Sequence, residues 1–282
     1  MRYPERIVCL TEETTEILFR LGLGDRVVGI SGYTVRPKIA RETKPRISSF
    51  LSADYAKILA LKPDLVLGFS DLQADLAAEL IRRGVPVYVF NQRSVDEILT
   101  TVRLVASLVG AQAAGDTFAD ELERGLSALA KQKPARGMRV FFEEWHEPLI
   151  SGIRWVSELI EIAGGSDVCA ETRTEQGAKG RIVAPALVAS RDPEVIIASW
   201  CGRKAQRQTI RERSGFAETT AVRTDQLYEI KSTYILQPGP AALTDGVAQL
   251  HSIIAAAARG ELLPAPRAGD LRRAPFTPHW PD

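Results

Sequence analysis

Six aromatic residues stand where short apolar runs end or where a helical pattern begins: Tyr33, Phe50, Phe69, Trp145, Trp200 and Tyr234. Open parallel sheets bind ligands beyond the carboxyl ends of their strands, so residues at these positions are the first candidates for ligand contact. Aromatic faces suit a large, flat and partly apolar ligand, whereas a sugar or an amino acid needs more hydrogen-bonding groups converging on it. Each ring could instead pack in a core or a hinge. Together the six rings predict a binding cleft.

His146 is the candidate metal ligand of the sequence, because it follows Trp145 directly in the segment that ends at Pro148. A neutral imidazole is a common ligand of cobalt and iron, and here it could take an axial position on a bound metal complex. A solvated loop histidine and a hydrogen-bond donor to ligand amides are the alternatives. His251 lies on a helical face and His279 near the carboxyl terminus, so neither is expected in the site.

An enzyme is the rival interpretation of the same region. Glu143, Glu144, His146 and Glu147 could form a metal site with a general base, and Cys201 could act as a nucleophile. Neighbouring residues of a strand point to opposite faces, so the first two glutamates cannot easily share one metal ion. The sequence has no phosphate-binding glycine loop, no GxSxG and no HExxH. It therefore predicts binding without catalysis.

Composition excludes several classes of partner. The 282 residues carry 36 Lys and Arg against 35 Asp and Glu, a net charge of +1 that gives no overall attraction to nucleic acid or anionic lipid. The three cysteines show no CxxC spacing, which argues against a disulfide framework and a cysteine zinc site. No apolar stretch approaches the ~20 residues of a membrane span. The charged start before Ile7 leaves no room for a secretory leader, which predicts a cytoplasmic protein, or a periplasmic or cell-surface one if a leader has been removed.

The order of apolar and helical segments predicts an α/β fold with two Rossmann-like lobes, parallel sheets and one long backbone helix between them. Apolar runs at 7–10, 27–30, 65–69 and 85–90 alternate with helical patterns, so residues 1–110 form the first lobe. Helical character continues over 95–131 with a break at Gly110, and residues 111–133 form the linking helix. Residues 134–260 form the second lobe. The proline-rich tail at 261–282 is disordered or lies along the surface.

A weak internal repeat supports two similar lobes. Glu16-Ile17-Leu18, with Gly22 six residues after the glutamate, matches Glu158-Leu159-Ile160, with Gly164 at the same distance. Residues 62–67 match residues 192–197 in the same order along the chain. In each half the proline ends a helix, and the apolar run after it is typical of a buried parallel strand.

Residues 4–10, 15–29 and 61–66 resemble the first lobe of the helical-backbone class, class III, of ABC-transporter substrate-binding proteins, which captures cobalamin, haem and iron siderophores. Within that class, residues 143–148 (EEWHEP), 155–165 and 237–240 (QPGP) are most similar to the cobalamin-binding branch. The resemblance covers residues 4 to 258. It implies two lobes with little hinge motion and a corrinoid, such as cobalamin, held between them.

The resemblance also implies which residues meet the ligand. Aromatic faces would contact the corrin ring, and polar groups would meet its amides; the ligand contacts carried over are Tyr33, Phe50, Phe69, Trp145, His146, Trp155, Trp200 and Tyr234. A ferric siderophore or haem is the alternative ligand, because Arg203, Lys204 and Arg207, or Lys179 with Arg181, could neutralise its carboxylates. These cations could equally form a solvated face.

Partner recognition departs from the family pattern. Members that deliver their ligand offer a surface glutamate on each lobe to arginines of an ABC permease. Here only Asp75 could serve on the first lobe, and residues 183–186 of the second lobe contain no acid. An ABC permease and a role as a cytoplasmic corrinoid binder without such docking both stay open.

Overall fold

The structure of the protein, a computed structural model, describes residues 3–279. The first lobe is built on a five-stranded parallel sheet in the order β3-β2-β1-β4-β5. Its strands are β1 Ile7–Cys9, β2 Val27–Ser31, β3 Arg46–Ser48, β4 Leu65–Phe69 and β5 Val87–Phe90. Each strand is short and strongly apolar, as expected for a parallel sheet covered on both faces. All five carboxyl ends lie at one edge, where the predicted ligand contacts of this lobe are found.

Helices cover both faces of the first sheet. They are α1 Glu12–Arg20, α2 Lys38–Thr43, α3 Tyr55–Ala60 and α4 Ala74–Arg82. The alternation of side chains along β1 divides the core, because Ile7 and Cys9 join one apolar cluster while Val8 and Leu10 join another. Both sets are fully buried.

Two helices pack as a hairpin between the lobes. α5 Val95–Leu108 begins at a capping box formed by Ser94 and Glu97, and α6 Gln112–Ala130 follows after a turn in which Gly110 has φ 77°. At Gly115, a Cβ atom would lie 2.1 Å from the Cβ of Ala106, so only glycine allows the two helices to approach this closely. α6 is roughly 28 Å long, lies within the predicted linking segment 111–133 and leads into the second lobe.

The second lobe contains a mixed five-stranded sheet. Its strands are β6 Met138–His146, β7 Leu149–Ser151, β8 Gly165–Asp167, β9 Val195–Ala198 and β10 Leu227–Glu229. β6 pairs in parallel with β8 and β9, and β9 with β10, whereas β7 is antiparallel to β6. The fold class predicted from the sequence is confirmed, with this one strand departing from the parallel pattern. Two residues between β6 and β7 are enough for an antiparallel hairpin but not for a parallel crossover.

The helices of the second lobe are α7 Arg154–Ile162, α8 Pro185–Ser190, α9 Arg207–Arg211, α10 Thr220–Arg223, α11 Ser232–Ile235 and α12 Val247–Ala258. A π-helical segment, Ala242–Gly246, leads directly into α12. Among the residues that the structure describes, no helix combines the length and apolar character that crossing a membrane requires.

The largest apolar cluster runs through both lobes without a break. It contains Ile17 of α1, Val102 of α5 and Leu122 of α6, and continues to Leu159 of α7 and Ile254 of α12. A hinge movement that separated the lobes along this side would expose those side chains to water at a cost of about 25 cal/mol per Å². The shared cluster therefore opposes large opening of the lobes.

Residues 261–279 lie along the second lobe, which is one of the two alternatives predicted for the tail. Leu271 is buried, and Arg272 forms a parallel bridge with Tyr228 at the edge of the sheet. The guanidinium of Arg272 also binds the Asp225 carboxylate at 2.6 Å. Residues 280–282 lie outside the described residues. The prolines of this segment prevent regular structure, yet buried and ionic contacts hold it in place.

Candidate functional site

Three aromatic side chains of the second lobe lie together where β6 and β9 end. The imidazole of His146 stacks on the indole of Trp200, with 4.2 Å between ring centroids and 25° between ring planes. The ring of Trp145 lies next to the same imidazole, with 5.0 Å between the ring centroids. The buried Nδ1 of His146 has no hydrogen-bond partner within residues 3–279. We call Trp145, His146 and Trp200 the second wall.

A buried ion pair braces the second wall. The indole Nε1 of Trp200 donates to Oε1 of Glu143 at 3.0 Å. Two nitrogens of Arg213 bind the same carboxylate at 2.7 and 2.8 Å, and the Glu143 side chain is 0% exposed. A bidentate arginine–carboxylate pair fixes both position and orientation. Glu143 therefore holds Trp200, and the rings stacked on it, in one arrangement.

The side chain of Glu144 points in a different direction from that of Glu143, as expected for adjacent strand residues. Its carboxylate accepts from the guanidinium of Arg181 at 2.6 and 3.0 Å, and Arg181 also donates to the carbonyl oxygen of Ser151 at 2.5 Å. Within the described part of the chain, no group of three or more His, Cys, Asp or Glu side chains is arranged to hold a metal ion. The metal-site interpretation of residues 143–147 thus has no geometric support.

The first lobe contributes a different surface at the ends of β3, β4 and β5. Phe69 is buried beneath the guanidinium of Arg93, which lies 4.8 Å above the ring. Gln73 connects this ring to the next loop: its Oε1 accepts from the Phe69 amide at 3.0 Å, and its Nε2 donates to the Phe50 carbonyl oxygen at 2.9 Å. Phe50 is half-buried. We call Phe50, Phe69, Gln73 and Arg93 the first wall.

Tyr33 and Tyr234 differ in how far their rings are exposed. Tyr33, in the loop after β2, is 58% exposed and so has a ring face available for a ligand. Tyr234 is half-buried, with the Arg36 guanidinium 5.3 Å from its ring and Phe276 of the tail in edge contact at 5.0 Å. Its aromatic face is thus shared with neighbours from the first lobe and the tail.

The structure does not bring Trp155 to the other rings. Only 2% of it is exposed, and it belongs to the apolar cluster that runs through both lobes. Its indole nitrogen donates to the carbonyl oxygen of Ile235 at 2.9 Å. This tryptophan opens α7 and packs inward because its indole N–H finds a buried acceptor, so it is a core residue and the expectation of ligand contact is corrected.

Three buried carboxyl groups lie in the first turns of α1, directly after β1. Burial raises the pKa of Glu12 to about 8 and that of Glu13 to about 7, against hydrogen bonds from the Val35 amide and the Thr11 hydroxyl that lower them. Burial likewise raises the pKa of Glu16, opposed mainly by Arg36. With a pKa of about 8, Glu12 favours the protonated form near neutral pH.

Contacts between the lobes join the same region. Arg36 of the first lobe pairs with Glu16 at 3.4 Å and with Asp245 of the second lobe, and all three side chains are buried. Gln92 donates to the carbonyl oxygen of Pro238 at 3.0 Å. Gly239 touches the Cβ of Glu13 so closely that a Cβ atom on the glycine would lie 2.5 Å away. The QPGP segment thus packs on the acidic start of α1.

Charges also couple the two walls across the gap between the lobes. The pKa of Cys201 is raised first by burial and then by Glu144 and Glu12, which belong to different lobes. The pKa of Arg93 is lowered first by burial, and the nearby Arg181 adds to that effect. Ionisable groups of both lobes therefore lie near Cys201 and Arg93.

Sequence reasoning missed several of these groups. Gln73, Arg36 and Arg93 bond to partners far along the chain, so no local pattern marks them. Glu12 and Glu13 carried a usable signal, because they follow a buried strand directly and stand at its carboxyl end. Of the predicted cations near Trp200, Arg207 pairs with Asp225 and Lys204 with Asp270, whereas Arg203 lies over the ring of Trp145.

These lobes, with two walls at facing strand ends and a helical connection, define a two-lobed solute-binding protein. A family model described as periplasmic binding protein matches residues 7–234, and the chain belongs to that family. The helical-backbone class predicted from the sequence, with its resemblance to the cobalamin-binding branch, is confirmed.

Individual relatives agree with this assignment. The vitamin B12-binding protein of Vibrio parahaemolyticus is 28% identical over 243 residues, which is 85% of this chain and 86% of the relative. The structure of the periplasmic vitamin B12 binding protein BtuF of Vibrio cholerae superposes with a TM-score of 0.73 at 27% identity, covering 91% of this chain and 99% of that one. The structure of the periplasmic heme-binding protein RhuT of Roseiflexus sp. RS-1 superposes with a TM-score of 0.73 at 25% identity, covering 90% of this chain and 99% of that one.

Proposed function

We propose that the protein binds a corrinoid of the cobalamin type between its two lobes. The observation that carries this proposal is the second wall, in which His146 stacks on Trp200 and Trp145 lies tilted against His146 at the ends of two neighbouring strands. A corrin is a broad, flat ring that offers apolar faces to aromatic side chains. The vitamin B12-binding relatives, at 28% identity over most of their length, support the same ligand.

Polar groups of both lobes suit the periphery of that ring. Corrins carry amide side chains, which donate and accept hydrogen bonds. Arg93 on the first lobe and the Glu144–Arg181 pair on the second supply donors and acceptors beside the walls. Tyr33 adds an exposed ring. We infer that Tyr33, Phe50, Phe69, Trp145, His146 and Trp200 contact the ligand, with Tyr234 contributing through its partly covered ring.

His146 is the proposed axial ligand of the cobalt. Stacking on Trp200 uses the faces of the imidazole, whereas the nitrogen lone pairs lie in the ring plane, so the stack does not consume them. The buried Nδ1, without a protein partner within residues 3–279, agrees with a side chain whose polar atoms serve a ligand. Aquocobalamin bound to the protein should show a shifted visible spectrum, and His146→Ala should abolish the shift. An unchanged spectrum in the variant would remove axial ligation from the proposal.

Binding without catalysis is part of the proposal. Two of the three acidic residues around His146 are engaged by arginines, Glu143 by Arg213 and Glu144 by Arg181, so neither of these two is poised to act as a general base. A corrinoid recovered after prolonged incubation should be chemically unchanged by chromatography and mass spectrometry.

Docking to an ABC permease would rest on Asp75. This residue is exposed in the first turn of α4, whereas the start of α8 on the second lobe offers Ala184, Ala186 and the exposed Leu187. We infer that any permease partner contacts the lobes asymmetrically, through charge on the first and apolar surface on the second.

Titration of the purified protein with cobalamin, haemin and a ferric siderophore tests the ligand assignment. Trp145 and Trp200 report directly, because a bound metal complex quenches their fluorescence. Saturable quenching by cobalamin at one ligand per chain is the expected result, and Trp200→Leu should weaken it. Saturation by haemin or the siderophore without any by cobalamin would replace the corrinoid assignment.

An anionic iron complex is the second candidate, favoured by cations beside Trp200. Arg203 and Lys204 follow the β9 strand and line a cavity there. Arginine forks match carboxylates well, so haem propionates could be bound at this position. The heme-binding relative RhuT shares the fold at 25% identity.

A further inference from the structure

A cavity of about 580 Å³ lies beside Trp200, where β9 and β10 end and the tail crosses the second lobe. Five cationic side chains line it: Arg203, Lys204, Lys231, Arg267 and Arg273. Two carboxylates, Glu229 and Asp270, lie among them. The cavity is thus strongly biased toward positive charge in a chain whose net charge is only +1.

Two of the five cations are already neutralised. Asp270 binds the amine of Lys204, and Glu229 binds Arg273, whose Nε lies 2.9 Å from the carboxylate. Glu229 also accepts from the Ala205 amide at 2.9 Å, which fixes it in place. Within residues 3–279, no carboxylate forms an ion pair with Arg203, Lys231 or Arg267. Among the described residues, these three cations therefore line the cavity without a carboxylate in ion-pair contact.

The cavity adjoins the second wall. Trp200 lines it directly, and the guanidinium of Arg203 lies over the ring of Trp145 at 5.9 Å from its centroid. The tail supplies Arg267, Asp270 and Arg273, so residues beyond the last helix complete the lining. A ligand held against the second wall could extend a side group into this cavity.

We propose that this cavity binds an anionic oxygen group of the ligand, a phosphate or a carboxylate, through Arg203, Lys231 and Arg267. The proposal rests on the proposed function in that the ring of the same ligand lies on the second wall. Guanidinium and ammonium groups form charge-assisted hydrogen bonds with such oxygens, and these are about twice as strong as neutral ones. For a corrinoid the group is the phosphodiester of the nucleotide loop; for a haem it is a propionate.

The test compares ligands that differ in this group. Cobalamin carries the phosphodiester, cobinamide lacks it, haemin carries two carboxylates, and inorganic pyrophosphate is an anion without a ring. Calorimetric titrations use the wild type, the double variant Lys231→Gln/Arg267→Gln and the control Arg124→Gln/Lys131→Gln. The control removes two exposed cations of the α6 region, outside the cavity. Thermal unfolding checks that all three proteins are folded.

The cavity variant should bind cobalamin about tenfold more weakly than the control, since two charge-assisted contacts are lost at partly exposed positions. Its affinity for cobinamide should match that of the control. Millimolar pyrophosphate should bind the wild type and the control but not the cavity variant. If only haemin binding is weakened and none of the three proteins binds a corrinoid, the cavity still binds an anionic group, but the corrinoid assignment is overturned. Equal affinity of cavity variant and control for every probe would overturn the proposal.

Discussion

The two walls that face each other between the lobes are held by different forces. In the second wall, His146 stacks on Trp200 and contacts the tilted ring of Trp145, and the buried Glu143–Arg213 pair holds Trp200. In the first wall, the rings do not touch each other; the amide of Gln73 links the backbone of Phe69 to that of Phe50. One wall is a rigid aromatic surface, and the other is a set of tethered loops.

Because of this difference, we expect the second wall to set the binding affinity and the first wall to set the ligand preference. A pre-organised aromatic stack loses little freedom when a flat ligand binds, so it can supply most of the binding free energy. The first wall has a cation above its buried ring, which suits hydrogen bonding to varied side groups, and burial raises the pKa of Glu12 and Glu13 in the same lobe. We expect changes in the second wall to reduce affinity and changes in the first to alter ligand preference.

Glu143→Ala should give the largest effect on stability. The substitution leaves the Arg213 guanidinium buried without its partner and the Trp200 indole without its acceptor, a loss of about 3–5 kcal/mol in the free energy of unfolding. Urea denaturation measures it. Glu147→Ala, at an exposed position in the same segment, is the matched control and should change stability by less than about 0.5 kcal/mol. A loss no greater than that of the control would show that the ion pair does not brace the wall.

On the first-lobe side, Glu12 should make stability depend on pH. Its pKa is about 8 in the folded protein against an ordinary value of 4.5, so the folded state keeps a proton that the unfolded state releases. The contribution of Glu12 to the free energy of unfolding should be greatest below pH 4.5 and should fall as the pH rises toward 8. Glu12→Gln should remove that decline, which makes the variant more stable than the wild type by roughly 3–5 kcal/mol at alkaline pH.

The control for this measurement is Glu218→Gln, because Glu218 is exposed. Denaturation midpoints at acidic and alkaline pH are compared for the three proteins. If wild type and Glu12→Gln lose stability in parallel between those conditions, the Glu12 carboxyl is ionised in the folded protein, and the contrast between the walls weakens.

Several elements could be predicted from the sequence because local signals mark their ends. The strand at 65–69 follows a proline and has the expected bounds, and the helix at 185–190 begins with a proline. The rings of the second wall follow long apolar runs, so their place at strand ends was predictable. Trp155 was not, since its orientation depends on an acceptor at Ile235, 80 residues away. The tail carries too few apolar residues to reveal that Leu271 is buried.

Replacing one ring on each wall should give a smaller effect that sharpens the contrast. Trp200→Leu removes the platform beneath His146 and should weaken corrinoid binding about tenfold to a hundredfold. Phe69→Leu should weaken it by about threefold, because Arg93 already covers that ring. Calorimetric titration measures both. Equal losses would mean that the two walls contribute alike.

The position of the cobalt in a complex tests the central claim most directly. Crystals of the protein grown with cobalamin, measured at the cobalt absorption edge, should give one anomalous peak per chain between the first and second walls, next to His146. A cobalt peak outside the gap between the lobes, or no peak at saturating cobalamin, would contradict the account.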